Sequence, residues 1–581
     1  MLDPQKLVTT SLIAFLIFLI TIFFIRRREK FSFYFVLLAS LLPLLSLLKR
    51  GVHQSGDFAI NIAKAYDLWN SLSFGIFPVH WASILNATYG YPLFLFTYPL
   101  PYYAIAIPKF IGISFIASEK FSIALVFVLS GVGMYLLLKQ FLNKNSSALG
   151  AILYLFAPYH LVDLHFRVAL GELFAFAFLP LIFYSMLRIS SRPIKRYVAL
   201  LFFTYSCLVL SHQAITLIAT PFIILFPLFI LIRLKGLSGT FWKKEAWKVI
   251  PIYISLFCAF LATSFYWLPV VEGTAHTLQV EFSKHISFEN PTLYFISPWR
   301  MGFLYQGPIG QLSFPMGFVQ LALLVFLLIS LFRGKIEKKL KKTSIILLTI
   351  FTFLLFLLFP FSEFVWKTIP FLTNFQFSYR MMLPVAFVLA IIGAISINKV
   401  RKPKIIYGIA TIAMLSTILN WGTRAMLPDI NDSYLMHHAP LATAEAEGLQ
   451  PAAPISRDIN NIWEKIPPES SLEVVNGQST ISVLSKTPTR HKYRLNVVQK
   501  SEFVENTYYF PGWNLYINGK NYPFSFIDAQ KSNKIRFSLS PGTYDALLSF
   551  EATPIVTFAN ILSILGLILV VAYLAIPHRL R

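Results

Sequence analysis

The sequence has very little of what a water-soluble enzyme uses. Only 13% of its 581 residues are charged, against about 25% in an ordinary globular domain, which excludes water as the main solvent of the fold. Acids are scarcest, with 26 Asp and Glu against 50 Lys and Arg. Only two cysteines occur, Cys207 and Cys258, so a disulfide framework and a cysteine zinc site are both excluded. Both stand in apolar runs, where a thiol behaves as a small buried hydrophobe. The chain has no Walker A sequence, no GxSxG elbow, no HExxH pair and no CxxC. Nucleotide hydrolysis, serine hydrolysis and zinc-peptidase chemistry therefore lack their residues. Any chemistry falls to carboxylates.

What the sequence does have is apolar length. Hydrophobic residues make up 56% of it and the mean hydropathy is +0.64. Runs long enough to cross a hydrocarbon core of about 30 Å as helices recur along most of the chain. The formal charge of +24 does not point to nucleic acid, because the basic residues gather in short clusters between apolar runs. These are Arg26 to Arg28, Arg188 to Arg196, Lys235 with Lys243 and Lys244, Lys335 to Lys342, Lys399 to Lys404, and His578 to Arg581. Such clusters mark cytoplasmic loops. The first run, 7–25, lacks a charged leader and a small-residue cleavage site and is expected to remain as a helix.

The expected fold is a polytopic α-helical membrane protein of about 12–14 helices, by the ~20-residue rule, with an outer β-rich, sandwich-like domain before the last helix. Residues 1–48 form N-terminal membrane helices, and 49–91 a first outer loop with an amphipathic juxtamembrane helix. Residues 92–421 form a multi-helix membrane domain, 422–554 the extracytoplasmic β domain, and 555–581 the last helix and basic tail. Charge alternation leaves the crossings between 92 and 159 undetermined, with the proline-broken stretch 92–108 short, tilted or re-entrant. Period-two alternation predicts strands at 480–484, 491–498, 513–517, 534–539 and 543–550, with Asn518-Gly519 and Pro541-Gly542 as turns.

Polar residues at the outer ends of the helices are the candidate site. Asp57 follows an early membrane helix, where a carboxylate serves as general base, holds a cation, or is simply an exposed loop acid. The run 60–72 puts Ile62, Ala65, Tyr66, Trp69 and Leu72 on one helix face, suited to lying on the membrane. Around it crowd aromatic residues, including Trp81 and Tyr91, with His80 beside them. They suit the headgroup level or a sugar-stacking platform. The second knot, APYHLVDLHFRVALGELF, holds Asp163, His165, Arg167 and Glu172. Acids there are costly and so functional candidates; the bland alternative is an Asp163–Arg167 pair worth a few tenths of a kcal/mol. His212 and Arg380 begin helices on the same side, Arg380 with a fork suited to phosphate, though both equally fit snorkelling side chains.

Taken together, Gly56 to Phe96 with FPVHW and GYPLF resembles the first outer loop of the GT-C membrane glycosyltransferases. APYHLVDLHFRVALGE, LSHQAITLIATP, SFYWLPVVE, NFQFSYRMMLP and YYFPGWNLYINGK resemble, in order, the YfhO-like proteins and their relatives named for a 6-pyruvoyl-tetrahydropterin-synthase-related domain. The resemblance implies transfer of a sugar from a polyprenyl-phosphate donor to a glycan, lipid or protein acceptor on the outer face of the cytoplasmic membrane. Asp57 would be the catalytic base, and His80, Trp81, Tyr91, Asp163, His165, Arg167, Glu172, His212 and Arg380 would bind substrate. Arg167 and Arg380 would stabilise the leaving phosphate, and the β domain would bind or present the acceptor through PGWNLYING. Phe58 and Ala59 follow Asp57 where many GT-C enzymes carry a second acid, so no metal ligand is assigned; a divalent cation stays open as cofactor. Pterin chemistry has no histidine cluster to support it. A flippase for lipid-linked saccharides and a non-catalytic scaffold displaying the β domain are the rival readings.

Overall fold

The computed structural model describes residues 4–26, 31–191, 194–235, 248–277, 286–369, 372, 375–400, 402–422, 425–441, 466–526 and 533–576. Arg27, Arg28, Lys243, Lys244, the tail from His578 and most of the loop-like start of the outer domain lie outside them.

Among the described residues, eight helices are long and apolar enough to cross a membrane, ten if each of two bent pairs is one span, and two shorter apolar helices accompany them. The bends have sequence causes. Pro43 breaks the second run into the helix Ser32–Leu41 and a tight turn Pro43–Leu48. Pro158 starts a new helix after Lys144–Leu155, at 46° to it. The helix Leu170–Ser191 is central, packed on Phe115–Leu138 and Lys195–Val209, while Met382–Ser396 packs on Lys144–Leu155 and Phe318–Phe332. Small residues allow close approach: a Cβ on Gly150 would come within 2.2 Å of Leu138 and 2.8 Å of Ala394.

The two ends of this bundle differ in charge. At one end Asn398 receives Asn143 on its carbonyl (2.8 Å) and donates to Glu337 (2.8 Å), and Arg188 reaches Gln140 (3.4 Å). The clusters around Lys144, Arg188, Lys338 and Lys399 thus share one end. Glu172 and Arg380 start their helices at the other. The stretch 92–108 does not span: it is a four-residue turn, the eight-residue helix Pro99–Ala106, and a tight turn Ile107–Ile111.

The helix Phe58–Ser73 forms, but it does not lie on a membrane surface. Asn61, Lys64, Asp67 and Ser71, off the apolar face, are buried too, because the helix is enclosed by Pro99–Ala106 and Phe115–Leu138. Asp67 accepts four hydrogen bonds, from Ser83 N and Oγ, Ile84 N and Leu85 N, at 2.9–3.3 Å, and so pins the returning loop. Burial pushes its pKa up to about 6 despite those bonds.

Strands β1 (Val52–His53) and β2 (Met426–Leu427) pair antiparallel and tie the start of the first outer loop to the chain entering the outer domain. That domain holds β3 (Leu472–Thr487), β4 (Arg490–Tyr508), β5 (Trp513–Ile517), β6 (Lys520–Asn521), β7 (Lys534–Leu539) and β8 (Gly542–Phe550). They make one antiparallel sheet, ordered β3-β4-β8-β5-β6, with β7 continuing the β8 edge along the far half of β4. In place of a second sheet, the membrane domain's own loop supplies part of the cover: Trp81 and Leu95 complete the domain's hydrophobic core.

A buried charge cluster as candidate active site

The site begins with a backbone constraint. Gly56 and Asp57 donate their N–H groups to the carbonyls of Phe166 and Arg167, both at 2.8 Å, which locks the first outer loop to the second polar knot. That knot ends in a π-helical turn, Asp163–Arg167, followed by Val168 at φ 55°, ψ 47°. A β-branched residue in the left-handed region is a true outlier, and such conformations cost ~1–3 kcal/mol and gather at functional sites. Asn61 holds it, donating from Nδ2 to the Val168 carbonyl (3.2 Å) and to Glu119 Oε1 (3.0 Å).

Asp57 occupies the N-cap of Phe58–Ser73, yet its carboxylate makes no capping bond; Ser55 Oγ takes the Phe58 N–H instead (3.2 Å). No hydrogen bond reaches that carboxylate among the described residues. Burial raises its pKa above the ordinary aspartate value, while Arg167 and Lys64 pull it back. It is a half-buried, uncommitted base among cations.

Those cations are held by buried acids. Arg167 spans two, with Nη1 at 2.6 Å from Asp163 and Nη2 at 3.0 Å from Glu172. It also donates to the Tyr159 hydroxyl (3.0 Å), which in turn donates to Glu172. Glu172 is 1% exposed, with Arg380 Nε and His212 Nε2 both 3.9 Å from it. Since His212 Nδ1 accepts the Ile215 N–H (3.3 Å), the proton sits on the nitrogen facing Glu172. Arg380 places Nη1 on the Phe375 carbonyl (2.7 Å), and its Nε has no hydrogen-bond partner among the described residues. Tyr98 stacks on both His212 and Tyr102 and closes the cluster beside Gly171.

Asp57, Asp163, Arg167, Glu172, His212 and Arg380 are therefore brought together; the other expected binding residues are not. Trp81 is 2% exposed and packs edge-on against Trp513 (5.3 Å, 89°), so this part of the supposed sugar platform, and the tryptophan of PGWNLYING, are spent joining the two domains. Tyr91 is buried and bridges Ala82 through the backbone. His165 is fully buried with neither ring nitrogen hydrogen-bonded among the described residues, near His53 and His160. His80 lies on a different cleft, and burial lowers its pKa to about 4. Sequence reading missed Lys64, Asn61, Tyr98 and Tyr159, ordinary residues until the fold assembles them. Glu119 was detectable as an acid inside an apolar run.

Asp163 and Glu172 share the single charge of Arg167, and Asp57 faces cations. No group of three or more His, Cys, Asp or Glu residues is arranged to hold a metal among the described residues.

One residue makes the packing testable. A Cβ on Gly171 would stand 2.5 Å from the Ser211 carbonyl and 2.6 Å from the Tyr98 ring. Gly171→Ala is expected to destabilise the protein by about 1–3 kcal/mol, the usual cost of overpacking, read as a lower melting temperature in detergent. An unchanged melting temperature would show that Tyr98 yields freely.

A family model described as "6-pyruvoyl-tetrahydropterin synthase related domain; membrane protein" matches residues 95–426. An uncharacterized protein of Lactococcus lactis subsp. cremoris (strain MG1363) is 26% identical over 314 residues, 52% of this chain and 50% of the relative; the chain thus spans about half the length of the curated relative it matches. Among solved structures, the arabinofuranosyltransferase AftD from Mycobacteria aligns at TM-score 0.41 and 13% identity, over 67% of this chain and 26% of that one. The oligosaccharyltransferase AglB from Archaeoglobus fulgidus, in complex with an inhibitory peptide and a dolichol-phosphate, aligns at TM-score 0.36 and 14% identity, over 64% and 50%. Overlaps this loose concern part of the architecture and say nothing of activity.

Proposed function

We propose that this chain, which belongs to the family of membrane proteins described by the 6-pyruvoyl-tetrahydropterin synthase related domain, is a glycosyltransferase using a polyprenyl-phosphate-linked sugar. The single observation that carries this is an uncommitted carboxylate, Asp57, set among Arg167, Arg380 and Lys64 at the bundle end opposite the basic clusters. By the positive-inside rule that end faces outward.

Asp57 takes the proton from an acceptor hydroxyl, whose oxygen attacks the anomeric carbon. The bond from that carbon to the phosphate oxygen breaks, and its electron pair leaves with the polyprenyl phosphate. Preorganised cations stabilise that charge best where water is excluded. Arg380 is the less tightly paired of the two arginines, its Nε standing 3.9 Å from Glu172 while Arg167 contacts Asp163 at 2.6 Å and Glu172 at 3.0 Å. Pterin chemistry plays no part.

The test is to incubate purified protein with a radiolabelled polyprenyl-phosphate sugar and envelope extract. The transferase reading expects labelled glycan together with polyprenyl phosphate, and activity that persists in chelator because Arg and Lys supply the positive charge. Movement of intact lipid-linked sugar across vesicles without free polyprenyl phosphate would instead support a flippase.

The pH profile should show an acid limb. The deprotonated Asp57 is the active form, so rate is lost as pH falls through its pKa. Since burial raises that pKa, the loss should begin above the ~3.9 of an exposed aspartate. A rate flat down to pH 4 would remove Asp57 as base.

A further inference from the structure

Away from Asp57, a cleft of about 190 Å³ opens where the β domain meets the membrane domain. Its walls include the 76–80 turn of the first outer loop, the end of the bent helix Ser264–Gly273, the turn after β4 at Phe510, and the junction of β8 with the last helix, Pro554–Ala575. Its polar groups include His80, Glu272, His276, Glu551 and Asn560, with Thr489 and Thr553, and Phe510 supplies an apolar wall. Glu551 is held in place rather than consumed. It accepts from the Tyr516 hydroxyl (3.1 Å) and from Asn514 Nδ2 (3.2 Å) and stays exposed.

This lining differs from the Asp57 cluster, where Arg167, Arg380 and Lys64 stand among the acids. Two carboxylates face the cleft, and no Lys or Arg lines it among the described residues. Burial keeps His80 neutral near pH 7. A phosphate-bearing or uronate-bearing ligand would meet like charge here, whereas sugar hydroxyls and amines find acceptors in Glu272, Glu551 and Asn560, and a ring edge in Phe510. A second, narrow hollow shares His80 and Leu95 with the cleft and reaches Tyr102. The Tyr102 hydroxyl donates to Asn61 Oδ1 (3.4 Å), inside the Asp57 site.

We infer that this cleft binds the acceptor, and that the acceptor segment lying in it is a saccharide without phosphate or carboxylate groups, uncharged or amino-bearing. The inference rests on the transferase reading and adds a location and a charge class to it. The two sites then divide the substrates by sign, with the anionic donor among arginines and the non-anionic acceptor among carboxylates.

Ala552 lies exposed on the cleft rim, and both native cysteines are buried, so Ala552→Cys gives one reactive thiol in the full-length protein. The transfer assay is run before and after coupling this thiol to a biotin maleimide, beside Asp57→Asn. The expected result is at least a tenfold loss of transfer on coupling, with binding of the polyprenyl-phosphate sugar unchanged. If coupling leaves transfer intact while Asp57→Asn abolishes it, the cleft assignment fails and the catalytic one stands; if Asp57→Asn also transfers normally, the transferase reading itself fails. Charge class is read by protection of the thiol. An N-acetylglucosamine trimer or a glucosamine trimer should slow coupling at least threefold, and a hyaluronan tetrasaccharide should not. Protection by hyaluronan, or by none of the three, overturns the inference.

Discussion

Asp57→Asn is expected to lower sugar transfer by 10²–10⁴-fold, the usual contribution of a general base, while leaving the protein folded and able to bind donor. That separation follows from the geometry. The Asp57 side chain makes no capping bond and no other hydrogen bond among the described residues, so replacing an oxygen by NH₂ removes no contact that holds the structure. Its backbone carries the structural duty, through the Arg167 carbonyl and the Asn61 N–H. The amide keeps the shape and loses the basicity and the negative charge. In cells, the readout is glycan modification of lipids or wall polymers at matched protein abundance. Unchanged modification, with the variant shown to be folded, would sink the catalytic assignment and favour a scaffold.

How much of this was legible beforehand depended on whether the signal was local. The strands 513–517 and 534–539 coincide with β5 and β7, because alternation and a flanking turn specify a strand without outside help. Asp57, Glu172 and Arg380 stood out since charge at the end of an apolar run is costly wherever the run goes. The failures were relational. Trp81 looks like an interfacial or sugar-stacking aromatic in sequence, and only the distant Trp513 turns it into a domain joint. The amphipathic face of Phe58–Ser73 was real, but burial of Lys64 and Asp67 on its other side depends on helices and loops that no periodicity within 60–72 reveals. Arg167 read equally as a phosphate binder or as the ion-pair partner of Asp163, and only the fold puts Glu172 on its second prong.

That last finding sets the largest expected effect on stability. Glu172 balances Arg167 at 3.0 Å and faces Arg380 at 3.9 Å from a position only 1% exposed. Glu172→Gln keeps the volume and one acceptor but removes the charge, leaving Asp163 and Asp57 to offset both arginines. Removing one partner of a buried ion pair typically costs about 3–5 kcal/mol, because the remaining charge stays desolvated. The variant should therefore melt far below the parent in detergent and fall in cellular abundance, in contrast to Asp57→Asn. Glu172→Asp should recover part of the loss by restoring the charge one methylene short. The double variant Glu172→Gln with Arg167→Gln should lose less than the two single losses summed, since the residues share one network. If Glu172→Gln melts with the parent, the two arginines are satisfied by something other than Glu172, and Arg380 is not held ready for phosphate in the way proposed.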